Sequence, residues 1–431
     1  MAAALAWTSV SGQGKVWTLD SCFAWADTHN TSILMAATDI RKSRLQLLQS
    51  KAELLPTLQL YVNQYYNWGR SVDMQELVIV KNRLTRQTSA SVGASFSIFD
   101  GFARLNTIAA NRAMAASAAS SAEQTALEVK ADIARAYLGN ILARLTVERL
   151  VQSHDAICRQ LSQARALAEC GQRNSSDILA LEAKAADILS QIAEAESEGE
   201  AQMLQLHALT GCAVPFETDI AMATGSWPDT YCDLMQFPDD EAGYQPVTPA
   251  VEAARQSAES ARYALKAARG ALFPTLSLSA GYGTYYSDAG GATFKEQIDG
   301  NRNPSISLSL AVPVFDCARG ITAVARARED LAAQQLKLRQ AEEQARQQWQ
   351  QMHLQYHTLA RQEKSLHVKA AFCEEKLRRA GQEYELGTIS AQQWVEACED
   401  YSQSGCEMLQ CRCKYIFQLI IMKLYYDGIQ K

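Results

Sequence analysis

A histidine pair and eleven cysteines are the residues of this 431-residue chain that could ligate a metal or carry redox chemistry. His353 and His357 have the i,i+4 spacing that places two imidazoles on one helical face, but the glutamate of an HExxH zinc-protease helix is missing. We therefore interpret them as a solvated pair. No phosphate-binding loop, dinucleotide fingerprint or nucleophile elbow occurs in the sequence. The sequence thus predicts no enzyme, no metal site and no cofactor.

The cysteines do not form a redox motif. Cys411 and Cys413 are separated by one residue, whereas CxxC redox and zinc sites have two. Most of the others lie in predicted helices, where a small buried thiol is the ordinary interpretation: Cys158, Cys170, Cys373 and Cys398. Cys212 and Cys232 flank a loop and could pair if the chain is exported.

Composition narrows the class of protein. A formal charge of −6 and a pI near 5.7 argue against a nucleic-acid binder, which needs a basic face. No apolar run reaches the roughly 18 residues of a membrane-spanning helix. Residues 1–18 include an A-x-A pattern at Ala4–Ala6. This pattern predicts a residual export signal, with a disordered cytosolic start as the alternative.

The sequence contains a long internal repeat. Three landmarks recur at spacings of 216 or 218 positions: Pro56 and Pro274, Asp100 and Asp316, and Gly171 and Gly387. A repeat of this length far exceeds the roughly 20–50 residues of solenoid repeats. We therefore predict a tandem duplication with a first repeat at 19–215, an inter-repeat segment at 216–247 and a second repeat at 248–431.

Each repeat contains two strand signals, predicted at about 57–68 and 88–99 and at about 275–286 and 304–314. Apolar residues alternate in them with small or polar ones, as Leu58, Leu60 and Val62 do with Thr57 and Gln59. Strand length and alternation are typical of outer-membrane barrels, as are the aromatic residues near the strand ends. These are Tyr65, Tyr66, Trp68, Tyr285 and Tyr286. A soluble sandwich is the alternative, but two hairpins are too little sheet for a core.

Four strands cannot close a barrel, and an open edge in lipid would leave backbone groups unpaired. Several copies of the chain must therefore pool their strands if these cross a membrane. An eight-stranded barrel is filled by its own side chains, whereas a larger one leaves a lumen. The small residues on the polar strand faces favour a lumen, and hence three copies or more.

Long helices account for the rest of the sequence. The tracts 102–169 and 318–385 each run for 68 residues without proline, which corresponds to about 100 Å of helix. Both are predicted to turn at a glycine and to return antiparallel. Regularly spaced apolar residues such as Ile133, Tyr137, Ile141 and Leu145 predict packed, coiled pairs. The predicted fold class is α+β, a duplicated unit of long coiled helices and a β-hairpin.

The order helix, LPTL strand, hairpin, strand ending in FDG, long helix, glycine turn and return helix resembles the TolC-type outer-membrane efflux proteins. The resemblance covers residues 18 to about 426. It implies a homotrimer with a transmembrane barrel of twelve strands, four from each chain, in the outer membrane of a Gram-negative bacterium. It also implies an α-helical tunnel in the periplasm and an equatorial position for the inter-repeat segment.

The family resemblance implies a passive channel of a tripartite efflux or type I secretion system, including multidrug efflux. Its partners would be a periplasmic adaptor protein and an inner-membrane pump of the RND, ABC or MFS class. A coiled-coil scaffold or adhesin with β-hairpin insertions is the alternative function.

Site residues follow from the resemblance. The helix–strand junctions are Pro56, Pro274, Asp100 and Asp316, to which we assign a structural role. The tip turns, which the resemblance makes the adaptor-docking surface, contain Gly171, Leu386, Gly387 and Thr388.

Asp177 and Tyr384 align with a gating pair, and Glu396 aligns with an acidic ring at the narrowest point. The alternative is an aspartate that caps a helix and a glutamate on a solvated face. Ile389 stands where a well-known member has a gating arginine, and Gln393 where it has a second acidic residue.

Overall fold

The computed structural model describes residues 16–72, 79–169, 175–211, 217–219, 247–288 and 292–429. Gly171, Cys170, Cys212, Cys232 and the A-x-A pattern lie outside these ranges. The eight helices of the described ranges are α1 (Leu19–His29), α2 (Thr31–Ala52), α3 (Ala103–Glu169), α4 (Ser175–Thr210), α5 (Pro249–Gly270), α6 (Phe294–Gly300), α7 (Arg319–Glu385) and α8 (Ala391–Ile429). The strands are β1 (Val16–Trp17), β2 (Thr57–Val72), β3 (Ile79–Phe99), β4 (Glu217–Thr218), β5 (Thr275–Ser287) and β6 (Asn303–Ala311).

All four strands of the sheet differ in length from the sequence prediction. Strand β2 ends at Val72, four residues after its predicted end, and β5 ends at Ser287, one residue after its predicted end. Strand β3 begins at Ile79, nine residues before the predicted start, because its register with β2 continues out to the pair Val72 and Ile79. Strand β6 ends at Ala311, shortly before Pro313, which has no backbone N–H to continue a ladder. The long helices α3 and α7 each have 67 residues and begin one residue after the predicted positions.

The chain divides into two compact units. One comprises Met1–Thr38, Ser120–Val251 and Ala341–Lys431, and the other comprises Asp39–Ala119 and Glu252–Gln340. Each unit takes residues from both sequence repeats. The second unit contains the sheet, and the first contains the turn between α7 and α8.

The sheet has the order β2–β3–β5–β6, and all neighbours are antiparallel. The two hairpins are therefore joined, because β3 of the first repeat pairs with β5 of the second. Strands β2 and β6 form the two edges. Large apolar side chains on one face are exposed, among them Leu58, Leu60, Ile306, Leu308 and Leu310.

The opposite face of the sheet carries hydroxyl, amide and glycine residues. The register aligns Thr57, Ser95, Ser279 and Ser307 across all four strands. Their hydroxyls pair, with 2.6 Å between Thr57 Oγ1 and Ser95 Oγ and 2.7 Å between Ser279 Oγ and Ser307 Oγ. Neighbouring rows add Gly93, Gly281 and Gly283.

Both repeats leave the sheet through the same backbone turn. Gly101 and Phe102 have φ angles of 66° and 64°, and Cys317 and Ala318 have φ angles of 56° and 65°. Aspartates cap the helices that follow. Asp100 Oδ2 accepts from the backbone N–H of Arg104, and Asp316 Oδ2 from that of Gly320, at 3.3 and 2.7 Å. Pro56 and Pro274 directly precede β2 and β5.

The unit that contains the α7–α8 turn has two buried apolar clusters. One surrounds the fully buried Ile133, Tyr137 and Ile141 of α3. The Tyr137 hydroxyl donates to the Trp17 carbonyl at 2.8 Å and accepts from the Asp219 N–H at 2.9 Å. Burial raises the pKa of Tyr137 to about 12. The sequence prediction of a buried apolar stripe along α3 is confirmed.

Candidate functional site

The turn between α7 and α8 reverses the chain through a glycine. Helix α7 ends at Glu385, and Gly387 has a φ of 74°. The Thr388 N–H donates to the Glu383 carbonyl at 3.0 Å, and the Gly387 N–H donates to the Tyr384 carbonyl at 3.1 Å. This pair of bonds is a Schellman motif, which satisfies carbonyls that the helix end leaves free. A left-handed residue is required here, and glycine adopts it without a steric penalty.

Helix α8 begins with a reciprocal cap. The Gln393 N–H donates to Ser390 Oγ at 3.3 Å, and the Ser390 N–H donates to Gln393 Oε1 at 3.0 Å. Gln393 thus stabilises the first turn of α8. The capping pair was not recognised from the sequence, although the S-x-x-Q pattern that signals it is present.

Leu386, Gly387 and Thr388 are all exposed at this turn, and Leu386 is the most prominent, with 79% of its surface accessible. Gly171, the other predicted tip glycine, lies outside the described residues.

Tyr384 is buried directly beneath the turn. Only 3% of its surface is exposed, and its ring stacks on Trp394 of α8 with 5.9 Å between centroids. It belongs to an apolar cluster with Leu181 of α4 and Ile157 of α3. The Tyr384 side chain therefore packs α7 against α8 within one chain.

The two predicted acidic site residues differ in environment. Asp177 is half-buried in the first turn of α4, where a negative charge interacts favourably with the helix dipole. Glu396 is exposed on α8, with Oε1 3.5 Å from Gln392 Nε2. The gating and ring roles of these residues stay predictions.

The structure places charged contacts elsewhere on α8 that sequence reasoning missed. Lys184 of α4 lies 2.6 Å from Glu399 of α8 and 2.8 Å from Asp187 of its own helix. The guanidinium of Arg149, on α3, lies 4.6 Å above the Tyr401 ring of α8. No local sequence pattern predicts these contacts with α8, because the partners are more than 200 positions apart in the chain.

The structure corrects the interpretation of the histidine pair as solvated. His353 is only 6% exposed and packs on Trp349 with 5.0 Å between ring centroids, so its interpretation as a solvated side chain is wrong. It is buried because α7 packs at this level against α8, where the Gln418 amide donates to the Met352 carbonyl. His357 is exposed, as predicted. Cys373 and Cys398 are buried, which confirms their interpretation as core thiols.

Across the described part of the chain, no group of three or more histidine, cysteine, aspartate or glutamate residues is placed to hold a metal ion. Among the helices of the same ranges, none is both long and apolar enough to cross a membrane.

Comparison with known families decides the class of protein. The family described as outer membrane efflux protein matches residues 26–212 and 247–414. The chain belongs to this family. The two matched stretches lie on either side of the inter-repeat segment. No curated protein matches the chain.

Solved structures with the same fold are found at low sequence identity. The structure of CusC, described in terms of transmembrane channel formation, has a TM-score of 0.83 and 16% identity, over 97% of this chain and 95% of that one. The outer membrane channel MtrE of Neisseria gonorrhoeae, in its open state, has a TM-score of 0.79 and 18% identity, over 96% and 89%. The outer membrane protein VceC of Vibrio cholerae has a TM-score of 0.78 and 16% identity, over 94% and 95%.

Membership of the family confirms the predicted outer-membrane location and the α+β fold class. Outer membrane efflux proteins are non-enzymatic conduits, so the prediction that this chain is not an enzyme is also confirmed. Channels of the family are homotrimers with a helical tunnel and a β-barrel, and they work with adaptor and inner-membrane pump partners.

Proposed function

We propose that this chain is the outer-membrane channel of a tripartite efflux or type I secretion system. Three copies form a passive conduit from the periplasm to the exterior, and docking of the adaptor and pump opens it at the helical tips. The inner-membrane pump, of the RND, ABC or MFS class, supplies the energy and selects the cargo.

One observation carries the proposal: the sheet has two open edges and an exposed apolar face. Leu308 and Leu310 on the edge strand β6 are each 64% exposed. In lipid such a face is stable, but the unpaired backbone groups of β2 and β6 are costly unless another strand covers them.

A further copy of the chain is a geometrically suitable cover. Because the four strands alternate in direction, β2 of a second copy can pair antiparallel with β6 of the first. Three copies supply twelve strands, which is enough to leave a lumen. The row of Thr57, Ser95, Ser279 and Ser307 would then line that lumen, where hydroxyl groups face water.

The α7–α8 turn suits the docking role. Leu386, Gly387 and Thr388 are exposed on a turn that the Schellman motif holds rigid, and Gly171 is assigned to the corresponding turn of the first repeat. Asp177 and Tyr384 are assigned to the gate and Glu396 to a cation-attracting ring, since three carboxylates on a narrow axis attract cations. Pro56, Pro274, Asp100 and Asp316 keep their structural role.

Two neighbouring residues of β6 provide a matched test. Leu308→Lys places a charge on the apolar face, and Ser307→Lys places the same charge on the polar face. In a lipid-embedded barrel the first change costs about 2–4 kcal/mol at the bilayer midplane. We therefore expect Leu308→Lys to abolish the trimer that resists detergent and dissociates on heating. Ser307→Lys is expected to keep the trimer and to shift the ion selectivity in planar bilayers toward anions.

A water-soluble monomer that tolerates Leu308→Lys would contradict the channel and support the alternative of a coiled-coil scaffold or adhesin. Membership of the outer membrane efflux protein family favours the channel over this alternative.

A further inference from the structure

Lys184 of α4, whose side chain is largely buried, links helix α8 to the first repeat. The Lys184 side chain is 12% exposed, whereas those of its partners Asp187 and Glu399 are 53% and 48% exposed. Desolvation lowers the pKa of Lys184, but hydrogen bonds to Asp187 and Glu399 outweigh it and raise the pKa above the usual value. The ammonium therefore stays charged while it bridges α4 and α8.

A second cation from the first repeat contacts α8 close to Glu399, at Tyr401. Arg149 of α3 lies over the Tyr401 ring, and its Nη2 donates to the Tyr401 carbonyl at 3.4 Å. Its guanidinium crosses α8 at Gly405, where a Cβ atom would lie 1.9 Å from Arg149 Cζ. A side chain at this position would force the guanidinium to move away from α8.

Lys184 lines a cavity of about 700 Å³ together with Asp187, Cys398 and Glu399, among others. The contacts are thus not closed over by apolar packing. Water can reach the cavity, so the ion pair can exchange its partners for solvent when the helices separate.

The turn itself lacks a comparable charge. Ile389 stands at its C-terminal side, and Glu399 follows ten positions later, which corresponds to about 15 Å along a helix. Two other ion pairs of α8, Lys369–Glu407 and Lys376–Asp400, join it to α7. Lys369 of α7 pairs with Glu407 at 2.6 Å, with both side chains more exposed than that of Lys184.

We propose that Lys184 is a positioning residue of the gate, and that its bridge to Glu399, supported by Arg149 at Gly405, holds α8 against the first repeat until the entrance opens. The inference deepens the proposed function and rests on it. Opening would require α8 to move away from α4, and this motion breaks the Lys184–Glu399 bridge but leaves Lys369–Glu407 intact.

The expected effect is measurable. A bridge of this kind changes the open-to-closed ratio about fivefold per chain, because its partners are half exposed and solvent competes for them. If three chains open together, the change is on the order of a hundredfold in the trimer.

The test compares full-length channels in planar bilayers. Lys184→Met is expected to raise the fraction of time spent in the conducting state, and Lys184→Arg to restore the wild-type value. Glu399→Gln is expected to act in the same direction as Lys184→Met, and the double variant is expected to do no more than the stronger single one. Lys369→Met is the matched control and is expected to change nothing.

Equal open times for Lys184→Met and wild type, in a channel that conducts, would overturn the positioning role and leave the proposed function intact. A wild-type protein that never conducts would refute the proposed function instead. If Lys184→Met fails to assemble, Glu399→Gln decides alone, since Glu399 is half exposed and its loss leaves no buried cavity.

Discussion

Replacing Gly101 by alanine is expected to destabilise the fold, whereas replacing Cys317 by glycine is expected to stabilise it. The two residues occupy equivalent positions of the two repeats, and both have left-handed backbone angles, with φ of 66° and 56°. The first repeat uses glycine for this turn and the second does not.

Gly101 also lies against the end of α5. A Cβ atom at Gly101 would lie 2.1 Å from the Gly270 carbonyl oxygen, so the backbone must move. The left-handed angle costs alanine about 1 kcal/mol, and the forced shift adds about 1–3 kcal/mol. We expect Gly101→Ala to lower the free energy of unfolding by about 2–4 kcal/mol.

Cys317→Gly removes the steric cost of the left-handed backbone angle, about 1–2 kcal/mol, from the folded state. Glycine also gives the unfolded chain more conformational entropy, which lowers stability by about 0.4–1 kcal/mol. The free energy of unfolding is therefore expected to rise by roughly 0.5–1 kcal/mol. The assay is the temperature at which the trimer is lost, at fixed protein and detergent concentrations, because oligomer stability depends on concentration. Hydrogen exchange at the start of α3 and of α7 localises each effect.

Gly101→Ala with wild-type stability would refute the reasoning, since neither the backbone angle nor the contact with Gly270 would then matter. A loss of stability in Cys317→Gly would show that the thiol makes contacts that outweigh its backbone strain.

Four further substitutions test the turn and the unit that contains it. Tyr384→Phe keeps the stacking on Trp394 and removes only the hydroxyl, so it and Asp177→Asn are expected to raise channel conductance; unchanged conductance would refute the gating role. Ser390→Ala removes the cap of α8 and is expected to cost about 1 kcal/mol, seen as faster hydrogen exchange in the first turn of that helix. Because burial raises the pKa of Tyr137 from 10.0 to about 12, its contribution to stability is complete below pH 10 and is lost as the pH rises to 12. Tyr137→Phe is expected to remove this part of the pH dependence of unfolding; an unchanged profile would contradict the assignment.

Local patterns in the sequence predict much of the architecture. The alternation around Leu58 and Leu308 predicts the strands, and the spacing from Ile133 to Leu145 predicts the buried face of α3. These patterns can be recognised because side chains return to the same face every two residues in a strand and every 3.6 residues in a helix, whatever surrounds the element. The glycine of the α7–α8 turn is equally local, since one left-handed residue suffices to end a helix.

The tertiary structure alone decides which elements meet. It brings β3 beside β5 and buries His353, and it places Lys184 against Glu399 and Arg149 against Gly405. No periodicity encodes these contacts, because each depends on how two distant surfaces pack. The sequence by itself therefore determined the repeat, the strands, the long helices and the family resemblance. Only packing decided which charges hold α8 in place, since an ion pair across 215 positions forms through the fold and not through the chain between its partners.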